Sequence, residues 1–143
     1  MSITVEVTHS GLDIAVFAEK LKDDILPALV SRLIDFAYAD LVSRASVRTG
    51  ALLASIQKQT SGLSGSVGPT VPYAVYVEYG TAPHDIRPVN AKVLAFPIGG
   101  RMVFTSIVHH PGTKRNPFIE ATAGDVKDQV QYVWQDLLWE ATS

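Results

Sequence analysis

The stretch VPYAVYVEYG, residues 71–80, fits two kinds of element, and the reading of the fold turns on which one forms. Val71, Tyr73, Val75, Val77 and Tyr79 alternate along it as they would in a β-strand. Pro72 at a first turn, Tyr73 four residues before Val77, and Gly80 as a stop signal fit a short helix. Pattern leaves both readings open. Tyr73, Tyr76 and Tyr79 fall three apart, so on a helix they drift around one side and give a surface that is apolar yet able to hydrogen-bond. Such surfaces are common where proteins meet, although the same rings could simply close over a core.

The chain continues as TAPHDIRP, so that Glu78, Tyr79, His84, Asp85 and Arg87 lie within ten residues. Pro83 and Pro88 stiffen this piece. KVLAFPIGGRMVFTSIV then holds two apolar runs around Gly99-Gly100, a pair suited to the positive φ angles of a tight turn, which predicts strands near 92–98 and 101–108. The lone hairpin cannot bury both of its faces by itself, and Val93, Leu94, Phe96, Met102, Val103, Phe104 and Ile107 make it a candidate contact patch. HHPGTKRNP is punctuated by proline and glycine and reads as a loop. From Phe118 to about Trp139 the residues Ile119, Ala123, Val126, Val130, Val133 and Leu137 mark one face of an amphipathic helix.

On the other side of the opening stretch, QKQTSGLSGSVG is polar and rich in Gly and Ser, which suits two edge strands joined by a turn. In VRTGALLASIQ, Thr49 can cap a short helix whose inner face carries Leu52, Leu53 and Ile56. From Leu12 to about Val42, Ile14, Ala18, Leu21, Ile25, Leu29, Leu33, Phe36 and Leu41 place an apolar stripe on a long helix. Pro27 lies inside it and predicts a kink near Asp24, or two helices meeting there. ITVEV near the start suggests a short strand.

The 143 residues are enough for one domain with a real core, and no internal repeat divides them. With 47% hydrophobic and 18% charged residues the chain should fold. Its most apolar run, ILPALVSRLIDFAYADLV, is interrupted by Arg32, Asp35 and Asp40, which argues against a membrane span. MSITVEVTHS lacks the basic start and apolar centre of a signal peptide, so the expected location is the cytoplasm. Twelve basic and fourteen acidic side chains give a net charge of −2 with no long run of either sign, unlike a phosphate-gripping protein. Specific nucleic-acid binding is not expected.

Reactive chemistry finds little support in the residues. The absence of cysteine removes disulfides, thiolate metal sites and cysteine nucleophiles. His9, His84, His109 and His110 lack the i, i+4 spacing of a helical metal site. If His109 and His110 extend a strand they face opposite ways, although one could still meet His84 and Asp85 across the fold. A small metal-dependent hydrolase built on those four residues is therefore the alternative reading. Ser55 lacks the setting of a nucleophile elbow, and PGTKRN lacks the glycine spacing and GK pair of a phosphate loop. Glu78 and Asp85 could form a carboxylate pair, but Glu78 reads more simply as a solvated residue or a partner for a cation.

Several separated pieces, taken in order, resemble one family. RTGALLASI, SVG, VPYAVYVEYGT, DIRPVNAKVLAF and HPGTKRNPFIEAT are similar to the gene-product-ten-like tail-component family of long-tailed bacteriophages. The resemblance runs from about Arg48 to Thr122, and its most specific parts are Thr49 to Ile56, YAVYVEYGT at 73–81 and NPFIEA at 116–121. The long first helix agrees in type only. The chain departs from the family pattern at Leu53 and Ala54, where a basic residue often stands.

The resemblance implies an α+β domain, with a long N-terminal helix and a C-terminal helix packed on a small, mostly antiparallel sheet, and a hairpin extension at about 85–115. It also implies that YAVYVEYG is a short helix with Gly80 just past its end. By the same resemblance the protein is structural, without catalytic residues or a cofactor. It joins head-completion proteins to the tail tube or tail terminator in the virion neck, as a ring with six copies expected. A head-closure adaptor or tail terminator is the neighbouring possibility. Tyr73, Tyr76, Tyr79, Phe96, Met102 and Phe104 are the expected contact residues.

Overall fold

A computed structural model describes residues 13–45 and 50–143. The expected strand ITVEV, His9 and the Thr49 cap lie outside the described residues. The chain is α+β and divides into two compact units, residues 1–70 with 119–143, and residues 71–118.

In the first unit, helix α1 (Ile14–Lys20) opens at Asp13, whose Oδ1 accepts the Ala15 N–H at 2.9 Å. A π turn (Leu21–Ile25) follows and leads directly into α2 (Leu26–Arg44). The disturbance expected from Pro27 takes this form. The proline ring cannot donate and crowds the carbonyl four residues back, and the wider turn, in which the Leu26 N–H reaches the Leu21 carbonyl, absorbs both problems without ending the helix. Ile25, Ala37, Leu41 and Ala45 form the buried stripe, whereas Ile14 and Ala18, assigned to it from spacing, are exposed.

A four-residue helix α3 (Ala51–Ala54) buries Leu52. Ile56 is also buried, but as the first residue of strand β1 (Ile56–Ser61) rather than on the helix. β1 pairs antiparallel with β2 (Ser64–Pro69) from Ile56↔Pro69 to Ser61↔Ser64, as the Gly- and Ser-rich sequence predicts. α2 packs on both strands. Gly65 allows the close approach, since a Cβ there would fall 2.5 Å from Ile34 Cγ1. Lys58 fixes the other edge, reaching Asp35 at 2.6 Å while lying over the Tyr38 ring.

Helix α5 (Phe118–Thr142) runs antiparallel to α2, since Arg44 pairs with Asp125, the Thr122 hydroxyl donates to Asp40 at 2.8 Å, and Arg32 pairs with Glu140 at 2.7 Å. Its buried residues include Phe118, Thr122 and Leu137, while Ile119 and Val130 are exposed. The contact face is thus rotated from the apolar stripe read in the sequence. Thr122 explains part of the error: its hydroxyl is satisfied by Asp40, which an apolar scan does not register. Burial raises the pKa of Asp40, but hydrogen bonds from Arg44 and Thr122 outweigh it and hold the carboxyl below its ordinary value.

Candidate assembly interface

Residues 71–118 answer the ambiguity of VPYAVYVEYG in favour of a helix, α4 (Ala74–Tyr79). Pro72 precedes it and leaves the first turn without loss of a needed donor. Ala74 and Glu78, four apart, are buried, whereas Tyr73, Tyr76 and Tyr79 are exposed, Tyr79 to 71%. A hydrophobic periodicity scan misjudges this helix, because its buried face includes a carboxylate and its exposed face three aromatic rings. Glu78 is 5% exposed, so of its two sequence readings, a solvated residue or a partner for a cation, burial excludes the first. No buried side-chain nitrogen or oxygen among the described residues lacks a hydrogen-bond partner.

Gly80 ends the helix with φ +70° and ψ 179°, an extended positive-φ conformation that glycine adopts without strain. A Cβ there would stand 2.5 Å from the Thr113 carbonyl oxygen, and a Cβ on Gly112 would collide with the Thr81 carbonyl. These glycines let two strands approach: Thr81 and Thr113 exchange backbone hydrogen bonds of 3.0 Å each, with their hydroxyls also 3.0 Å apart.

From this bridge a two-stranded arm extends. β3 (His84–Ile86) pairs antiparallel with β6 (Val108–His110), so HHPGTKRNP is not wholly a loop. Beyond them β4 (Leu94–Ile98) pairs with β5 (Arg101–Thr105) around Gly99 and Gly100, both at positive φ, as a two-residue turn of this type requires. Between the paired segments, residues 87–93 oppose only 106 and 107, so the arm carries a large bulge on one strand. The described sheets are three separate two-stranded ribbons rather than one small sheet.

At the tip, the pairs Ala95↔Phe104 and Pro97↔Met102 share one face, and Phe96↔Val103 the other. Met102 and Phe104 are exposed, Phe104 to 66%, while Leu94, Phe96 and Val103 are half-buried. The structure therefore puts Phe96 opposite its expected companions. Ile98 and Val89 are further exposed apolar residues that the sequence reading did not include.

The histidines and Asp85 meet in pairs at the base of the arm. His84 and His110 stack with ring centroids 5.0 Å apart, and His109 Nδ1 lies 2.5 Å from Asp85 Oδ1. Because adjacent strand positions alternate, the two pairs lie on opposite faces. The His84 ring donates through Nδ1 to the Ala82 carbonyl at 2.8 Å, and His110 Nδ1 accepts the Gly112 N–H at 3.0 Å. Both rings thus hold backbone through Nδ1. Among the described residues no three His, Asp or Glu side chains form a metal-sized group. The four residues of the hydrolase reading are thus adjacent in the fold but divided in geometry. Arg87 belongs to the bulge.

Among the described residues, no helix is long and apolar enough to cross a membrane. No curated protein and no solved structure gives a significant match to the chain. One family model does match, that described as "Bacteriophage HK97-gp10, putative tail-component", over residues 13–80. The match takes in the long helix, which the motif resemblance covered in type only, and ends at Gly80, short of the arm and of NPFIEA. Through residues 13–80, just under half of its length, this chain resembles the HK97-gp10-like bacteriophage tail components.

Proposed function

We propose that this protein is a structural component of the head-tail neck of a long-tailed phage, in which copies form a ring between the head-completion proteins and the tail tube or terminator. The family match at residues 13–80 carries the reading. Two features support it. The chain offers exposed aromatic and apolar residues on separate elements, Tyr73, Tyr76 and Tyr79 around α4 and Met102 and Phe104 on the arm, and a closed ring needs two different patches on each copy. Its net charge of −2, without basic runs, also suits a channel that must release a genome rather than hold its phosphates.

In this role the whole chain acts as one domain with the arm as its extension, assembling in the host cytoplasm and ending in the virion. Six is the proposed copy number, and the protein can remain a monomer until it docks on its neighbours. The role requires no catalytic group. Phe96, half-buried on the opposite face of the tip, contributes by shaping the arm.

The test is deletion of the gene from the phage genome that encodes it, with electron microscopy of the lysate. Full heads and separate tails should accumulate, and plasmid-borne protein should restore joined, infectious particles. Normal infectious virions from the deletion, or purified particles that lack the protein by mass spectrometry, would sink the assignment.

A further inference from the structure

The tip of the arm has one interrupted edge and one open edge. Around the two-residue turn at Gly99-Gly100 the flanking residues Ile98 and Arg101 exchange backbone hydrogen bonds, so further along the ladder Phe96↔Val103 and Leu94↔Thr105 do the same. The residues between them, Ala95, Pro97, Met102 and Phe104, turn their own backbone groups outward, away from the paired strand. On β4 that outward edge is broken, because Pro97 has no N–H. On β5 it is complete, since Met102 and Phe104 each offer a donor and an acceptor. Among the described residues no third strand meets them.

The side chains beside the open edge suit it to a further strand. Ala95, Pro97, Met102 and Phe104 share one face of the ribbon, all are exposed, and none carries a charge or a hydroxyl. An unpaired strand edge flanked by exposed apolar side chains is a template for pairing with another chain. The β1–β2 ribbon is guarded where the tip is not. By the same alternation from its turn at Gly62-Leu63, the outward-facing positions of β1 include Lys58, and α2 packs on both of its strands.

We propose that β5 of one copy pairs antiparallel with β5 of a second copy, with Val103 meeting Val103 on a two-fold axis. In this register the outward groups of Met102 bond those of Phe104 in the other chain, and the reverse, so the open donors and acceptors of the edge are satisfied. Met102 also lies beside the second Phe104 ring, a sulfur–aromatic contact that the symmetry repeats. Arg101, the charged residue of β5, falls opposite Thr105, which keeps the two guanidinium groups at opposite ends of the pair. The occupant is a second copy because the strand complements itself in hydrogen bonding, in side-chain class and in the placement of its charge. A pair of strands five residues long buries little surface, so the association is weak and copies stay apart when dilute. A two-fold contact closes at two copies and cannot run around a ring, so it joins free copies and goes beyond the neck reading without depending on it.

The absence of cysteine makes a disulfide test free of background. Val103→Cys places a thiol from each copy on the axis, where directly opposed residues of such a pair have Cα atoms about 4.5 Å apart, within disulfide range. Mild oxidation at high protein concentration should give a 103–103 dimer, identified by peptide mass spectrometry, well above the 95–95 yield from Ala95→Cys on β4. Adding Met102→Pro removes an outward N–H from each copy while sparing the β4–β5 ladder, and should lower the 103–103 yield about ten-fold, whereas Met102→Ala, which keeps the N–H, should lower it less. Sedimentation equilibrium of the cysteine-free chain should show a weak dimer that Met102→Pro removes. A 103–103 yield no higher than the Ala95 control, or one that Met102→Pro leaves unchanged, would overturn the proposal. A chain that stays monomeric at every concentration while Met102→Pro still prevents phage particles from joining would also overturn it, and would assign the edge to a different protein.

Discussion

The α2–α5 pair and the arm use their apolar residues in opposite ways. Along α2, the π turn before it and α5, Ile25, Ala37, Leu41 and Leu137 are withdrawn from water, and the Arg44–Asp125 ion pair and the Thr122–Asp40 hydrogen bond register the two helices. Along the arm, Val89, Ile98, Met102 and Phe104 remain in water, and order comes from backbone pairing and from glycines where strands turn or approach. The difference separates residues that stabilise this chain from residues that do not. An apolar residue stabilises a chain in proportion to the area it removes from water within that chain, so the helices hold the fold and the exposed residues of the arm tip add little to it.

Substitutions made in each region in turn put this contrast at risk. Leu41→Ala, at a residue 2% exposed, should cost about 3 kcal/mol in urea unfolding, through lost burial and the cavity left behind. A change below ~1 kcal/mol would show that the α2 stripe does not hold the fold.

Gly112→Ala should have the next largest effect. The glycine has φ +85° and its added methyl would collide with the Thr81 carbonyl, so more than ~1 kcal/mol of strain is expected, concentrated at the Thr81–Thr113 bridge. Hydrogen exchange at the amides of Thr81 and Thr113 should accelerate while exchange in α2 does not. Acceleration spread evenly through the molecule would show that the base of the arm is not a separately stabilised element.

Asp40→Asn should cost on the order of 1 kcal/mol at neutral pH, by weakening charge-assisted hydrogen bonds at a partly exposed site. Its pH dependence is the more specific readout. Because the folded-state pKa of Asp40 lies below its unfolded value, the stabilisation is complete above the ordinary carboxylate range and disappears as pH falls through the lowered folded value. The gap between wild type and Asp40→Asn should therefore narrow on acidification below about pH 4. A gap that stays constant would assign the loss to packing.

Phe104→Ala and Tyr79→Ser should change stability least, within ~0.5 kcal/mol, because both side chains are already in water. Under the proposed neck role their effect falls on assembly: Phe104→Ala should reduce the yield of joined phage particles while leaving the unfolding curve in place. A large loss of stability from either substitution would erase the distinction between holding the fold and meeting a partner.

Much of the architecture is legible in local sequence because local physics dictates it. Gly99-Gly100 between apolar runs forms the tip turn, QKQTSGLSGSVG forms a polar hairpin, and the disturbance at Pro27 follows from a missing N–H. The chain from 71 to 80 was not legible by periodicity, since a six-residue helix with a buried glutamate and exposed tyrosines imitates an alternating strand. The rotated face of α5 escaped for a related reason: burial there follows Thr122 and its hydrogen bond to Asp40, eighty-two positions apart in the chain. Of the expected contact residues, exposure agrees for the three tyrosines, Met102 and Phe104, whereas the face of Phe96 depended on strand register.

Residue order over short spans was enough to give the α+β class, the long helix with its interruption at Pro27, and the resemblance to phage tail components. Long-range packing was needed to establish that His84 stacks on His110 while Asp85 meets His109 on the other face, that Gly80 and Gly112 bring Thr81 to Thr113, and that Glu78 is buried. Those facts depend on which distant backbones lie side by side. Strand pairing and hydrogen-bond satisfaction are settled by the whole chain closing on itself, so no short stretch could have contained them.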